Sequence, residues 1–235
     1  MRRILFPVLL FTLAGSPPSS GASAQITILD RGEFEVAVNG RGVGTETFSI
    51  RQVGTGSEAR VIAAGQIRAA LPDGANTMDM LMELTGAGWM PSAYQNKVGG
   101  EGAREIGFEL RGARFESRVT SDIGEQVKEY RAAPGTRILE RGTAHHFHFL
   151  VRPADPGPLS IPVIVPRDGF QAEAQVILAG TAELRIGGEV MPARHYRVRA
   201  GELRWEAWHD AEGRVLRVVE SSTGYSAVRL TRPGS

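Results

Sequence analysis

Apolar and polar residues alternate along most of this chain. Phe34, Val36 and Val38 are interleaved with Glu33, Glu35 and Ala37, and a period of two puts each set on one face of a strand. Asn39-Gly40-Arg41-Gly42 follows. Asn and Gly tolerate positive φ, so this stretch predicts a tight hairpin with its return strand over 43–53. Residues 54–57 read as the next turn and 59–71 as the third strand, after which the 72–76 stretch, rich in turn-forming residues, reverses the chain. The same alternation predicts strands over 77–85, 89–98, 104–111, 113–121 and 125–132. Further along it predicts them over 172–178, 181–186, 191–200, 202–209, 215–220 and 225–231. Short strands at this spacing imply an antiparallel meander, and so many of them must curl, close or stack.

The rhythm breaks between 142 and 170. Thr143 is placed to cap a short helix over 143–152, with Phe147, Leu150 and Val151 on one stripe. A strand over 144–152 is the alternative; it would put His146 and His148 on one face and His145, Phe147 and Phe149 on the other. Pro153, Pro156 and Pro158 end the helix and force an extended crossing segment. Ile161 to Pro166 reads as a short buried strand bounded by prolines. The fold expected is mainly β: a strongly curved antiparallel sheet or incomplete β-barrel, with one short helix at about 143–152 covering an opening.

Candidate chemistry is sparse. Met78, Met80, Met82 and Leu84 share one strand face. Methionine adapts to ligands of varied shape, so the row reads either as ordinary core or as the wall of an apolar cavity. Trp89, Phe147, Phe149 and Trp205 are the aromatic residues expected to line the same cavity. His145, His146 and His148 are three of the chain's five histidines. As metal ligands they need a further donor from His195, His209, Asp210 or a Glu; otherwise they form the neutral, solvated rim of a core plug. A two-residue turn at Ala200-Gly201 would set Tyr196 opposite Trp205, Val198 opposite Leu203 and His195 opposite Glu206, a pairing that accounts for His195 without catalysis. The chain has no cysteine and no Gly-x-Ser-x-Gly elbow, and Gly40-x-Gly42-x-Gly44 lies between strands rather than before a helix. The scattered carboxylates read as solvated strand faces.

Composition adds a compartment. Arg2 and Arg3, the apolar run 4–13, the break at Pro17-Pro18 and Ala22-Ser23-Ala24 predict a signal peptide over 1–24, leaving one antiparallel β domain over 25–235. The apolar run falls short of the roughly 20 residues of a spanning helix. Without cysteine the exported chain carries neither disulfides nor a lipid anchor, so a core must hold it. Arginine dominates, Lys97 and Lys128 being the lysines, which suggests a bacterium with a GC-rich genome. We read the compartment as periplasm, with full secretion as the alternative. Removing Arg2 and Arg3 with the leader leaves 25 basic against 26 acidic residues, a balance with no footprint for nucleic acid or anionic membranes.

The opening FEVAVNGRGVGTETFSI and the closing LRWEAWHDAEGRVLRVVE resemble the ends of exported bacterial proteins of unknown function built on one large antiparallel sheet. The architecture this implies is similar to that of the lipoprotein carriers LolA and LolB, whose curved sheet holds acyl chains inside. The function expected is non-enzymatic binding of a hydrophobic or amphiphilic, lipid-like molecule in the cell envelope, without a cofactor. The alternatives are a metal-dependent envelope enzyme using the three histidines, and an envelope scaffold that pairs its strand edges with a protein partner.

Overall fold

The computed structural model describes residues 25–152 and 158–234. The leader expected over 1–24 and the crossing segment over 153–157 lie outside the described residues.

Fifteen strands form one sheet. They are β1 (Ile26–Val38), β2 (Arg41–Val53), β3 (Arg60–Ala69), β4 (Ala75–Thr85), β5 (Met90–Gly100), β6 (Arg104–Arg111), β7 (Arg114–Ser121) and β8 (Gly124–Arg131). Then come β9 (Arg137–Ile138), β10 (Leu159–Val165), β11 (Phe170–Ile186), β12 (Glu189–Ala200), β13 (Leu203–His209), β14 (Val215–Glu220) and β15 (Tyr225–Arg229). The spatial order runs from β8 back to β1, across to β15, and back down to β9. Both ends of the described chain therefore meet in mid-sheet, where Phe34 faces Arg229 and Val38 faces Tyr225. Every pairing is antiparallel except β9 with β10.

Local chemistry explains the turns. Asn39 and Gly40 both take positive φ, 50° and 76°, as the hairpin reading requires. The curved sheet stays open, and side chains bridge its end strand β8 to the start of β11. The Gln171 amide donates to the Arg131 carbonyl at 2.7 Å and accepts from the Arg131 N–H at 3.1 Å, standing in for a ladder rung. Lys128 adds a bond to the Gly169 carbonyl at 2.5 Å.

Several expectations need correction. The stretches 172–178 and 181–186 are one strand, β11, interrupted only by a register shift between Leu178 and Gly180; a bulge keeps the ladder running where Gly180 looked like a turn. In the β12–β13 hairpin the turn sits at Gly201-Glu202, so Val198 faces Trp205 and Tyr196 faces Ala207. Gly201 takes φ 57° at the first turn position, which leaves the buried Ala200 inside the strand. Each partner moves by two residues, so every side chain keeps its expected face.

The expected helix is a shorter 3-10 segment, His145–Phe149, with Phe147 N–H bonded to the Ala144 carbonyl at 3.0 Å. Its cap is not Thr143, whose hydroxyl turns to Met80 Sδ at 3.6 Å. Glu46 on β2 takes that role, accepting from the N–H groups of Ala144 and His145 at 2.7 and 2.8 Å. The segment is a plug inside the curled sheet: His145 to Val151 are all buried.

Candidate functional site

The plug packs by specific contacts. Glu46 also accepts a bond at 2.7 Å from His145 Nδ1, so that ring carries its proton there. The ring stacks on Phe48 at 5.8 Å, and Phe48 stacks on Phe34 at 5.2 Å. Gly65 makes the room: a Cβ at that position would lie 2.2 Å from His145 Cε1. His146 Nδ1 accepts the Glu140 N–H at 3.2 Å. His209 on β13 donates from Nε2 to the Phe147 carbonyl at 3.1 Å. His148 stacks on Trp89 at 5.8 Å, with Nδ1 3.9 Å from Asp30.

These histidines were expected at a solvated rim; the structure buries all three. They are buried because Phe147 and Leu150 can reach the core only if the whole short turn enters the sheet. Burial disfavours the charged ring, so His146 is held well below the usual imidazole range, and His148 and His209 are each lowered to about 4. Among the described residues, no group of three or more His, Asp or Glu side chains is placed to hold a metal ion.

A second set of polar groups was missed in the sequence. Glu140 is buried and accepts from Tyr94 Oη at 3.1 Å, Asn96 Nδ2 at 3.3 Å and Arg167 Nε at 3.0 Å. Arg167 reaches Asp73 at 2.6 Å. Arg141 grips buried Glu220 at 2.6 Å, and the Trp205 indole N–H adds a bond to Glu220 at 3.3 Å. Asp30 and Arg229 form a buried two-bond pair at 2.9 and 2.7 Å, joining β1 to β15. The reading of the carboxylates as solvated therefore fails at Asp30, Glu46, Glu140, Asp210 and Glu220, all buried. The missed signal was phase: Glu46 shares the period of Phe48 and Ile50, and Glu220 that of Val218.

The ligand-wall candidates come together, but around the plug. Met78, Met80, Met82, Phe147, Phe149 and Trp205 are all core residues, with Phe147 and Trp205 rings 5.9 Å apart. Trp89 packs partly buried beside them at φ 52°, with Phe149 edge-on at 5.7 Å and Arg152 over its ring at 4.8 Å. The chain's own plug thus occupies the space between the Met row and Trp205.

An opening lies on the opposite face of the same strands. A groove of about 810 Å³ is lined by Ser49, Ala64, Leu81, Gln95, Gly107 and Arg118. These six are directly paired in that order across β2 to β7. A parallel row, Thr47, Gln66, Asp79, Lys97, Glu105 and Thr120, is paired in the same way and lines the same groove. The first row is small or neutral up to Arg118, and its Leu81 is 45% exposed. The second carries Asp79, paired to Arg68 at 2.8 Å, and Lys97, paired to Glu105 at 3.0 Å. His195 and Glu206 lie outside this groove, bonded at 2.7 Å with His195 flat on Trp208, an ordinary surface pairing.

No family profile matches the sequence, and no curated protein matches it. Among solved structures, the chain is similar to a β-barrel-like protein of the domain of unknown function DUF1849 from Brucella abortus. The TM-score is 0.52 at 7% identity, covering 88% of this chain and 97% of that one. At that identity the likeness is one of fold alone: the neighbour is β-barrel-like, and this chain is one large, curved, unclosed sheet.

Proposed function

We propose that the protein is a non-enzymatic binding protein of the bacterial cell envelope, exported to the periplasm, and that it takes an amphiphilic molecule in the groove across β2 to β7. One observation carries this reading: a row that includes the small or apolar Ala64, Leu81 and Gly107 lies beside a row that includes the charged Asp79, Lys97 and Glu105 along one groove of about 810 Å³. An amphiphile laid across the strands sets its apolar flank on Ala64, Leu81 and Gly107 and its polar flank toward Asp79, Lys97 and Glu105. The volume lies within the usual span of small-molecule sites. Each methylene buried contributes on the order of 0.8 kcal/mol, so no covalent chemistry is needed for affinity. The likeness among solved structures is to a β-barrel-like protein of unknown function and not to LolA or LolB, so the ligand class rests on the groove. Those carriers hold acyl chains inside the sheet, whereas Phe147 and Leu150 fill the inside here.

The test is titration with a fluorescent apolar probe, N-phenyl-1-naphthylamine, alongside native mass spectrometry of protein taken from its own periplasm. Saturable binding that is lost in Ala64→Trp and kept in Met82→Leu, a buried position outside the groove lining, supports the groove. Equal binding by Ala64→Trp, or no binding and no co-purifying mass, overturns it.

A further inference from the structure

Strand β11 outruns its neighbour. β10 pairs with residues 170–176 only, while β12 pairs with β11 as far as Ile186. Among the described residues, no strand lies on the other side of the stretch 177–186. Ile177 to Thr181, Glu183 and Arg185 are exposed, with Ile177 and Leu178 at 49% each. In an antiparallel ladder, alternate residues aim their N–H and C=O groups to each side, so this edge offers a row of donors and acceptors to another strand. Of the usual protections the stretch has a bulge between Leu178 and Gly180 and two charges of opposite sign, Glu183 and Arg185, but neither Pro nor Lys. The edge is also held firm: Ala182, Leu184 and Ile186 pack with Trp208 and Leu216 in a second small core.

We propose that this edge is an interface between two copies of this chain, β11 pairing antiparallel with β11 of the second copy about a two-fold axis. The bulge between Leu178 and Gly180 leaves the stretch from Thr181 to Ile186 as the regular half. Directly opposite residues must share a face, so a symmetric register is centred on a single residue. Centring on Glu183 or on Arg185 opposes like charges. Centring on Ala182 sets Glu183 against Thr181. Centring on Leu184 sets Glu183 against Arg185 twice, by symmetry, with Ala182 against Ile186 and Leu184 against itself. Glu183 has no side-chain partner among the described residues. Arg185 donates one bond to the Gly188 carbonyl at 2.8 Å and keeps its other N–H groups for a carboxylate. The register centred on Leu184 is therefore the one the charges select.

Sedimentation equilibrium of the purified protein over a range of concentrations tests this, with circular dichroism to check folding. A monomer–dimer equilibrium is expected. Glu183→Arg alone and Arg185→Glu alone each weaken it about ten-fold or more, and the double swap restores it to near the original value. A monomer at every concentration overturns the proposal. So does association unmoved by the single reversals, or a double swap as weak as the singles.

Discussion

Lowering the pH from 7.5 to 5 is expected to cost this protein about 4 kcal/mol of folding stability, through two imidazoles. His148 and His209 are buried and titrate at about 4 in the folded chain, against an ordinary value of 6.5. Between those values the unfolded chain binds more protons than the folded one, so stability falls as pH falls. Their contribution is complete above the unfolded value and is lost as pH drops through 6.5 toward 4. At pH 5 each group costs about 2 kcal/mol, taking ~1.4 kcal/mol per pH unit between the two values. His146 is shifted in the same direction and adds to the loss. Domains of this kind have only about 5–15 kcal/mol in hand, so the effect is large. Urea unfolding followed by tryptophan fluorescence at the two pH values measures it. His209→Gln keeps a side-chain N–H for the Phe147 carbonyl and removes one titrating group, so it should shrink the pH difference by about 2 kcal/mol. Equal unfolding free energies at pH 7.5 and 5, or an undiminished pH difference in His209→Gln, would refute the assignment of buried neutral imidazoles.

Other perturbations probe the rest of the architecture. Gly65→Ala drives a methyl into the His145 ring, 2.2 Å from Cε1, and should cost about 1–3 kcal/mol, read as a fall in Tm of several degrees. Arg229→Met strands the buried Asp30 carboxylate and should cost about 3–5 kcal/mol in urea unfolding, with Asp30→Leu added to it recovering part of the loss. Gln171→Ala removes the bridge from the start of β11 to Arg131 on β8, and hydrogen exchange at the Arg131 amide should speed up while global stability falls by no more than about 1–2 kcal/mol.

Strand existence was legible where a strand has a buried face and an exposed face, as in β3 and β4, because that asymmetry prints a period of two. The turns were legible where a residue type is demanded, as at Asn39-Gly40, or at Asp210, whose carboxylate accepts the Glu212 and Arg214 N–H groups at 3.1 and 2.8 Å. The β12–β13 register was out by two because Ala and Gly both fit a turn in isolation. What settled it was burial of Ala200 against the interior. The two-residue β9 is too short to carry any period; it exists only because β10 passes beside it.

The candidate site divides in the same way. Alternation along the chain is enough to show a β chain, to put Met78, Met80 and Met82 on one face, and to mark the segment after Gly142 as a break. What those features face is set by packing between distant parts of the chain. A strand's period says which residues are on the same side, not what lies across from them. The Met row faces the interior, where Met80 meets Thr143 just before the plug, and the neighbouring Asp79 and Leu81 look into the groove. Glu46 is a buried cap rather than a solvated carboxylate because a turn roughly 100 residues later arrives with unpaired N–H groups. Such pairings depend on distance in space, which alternation along the chain does not encode.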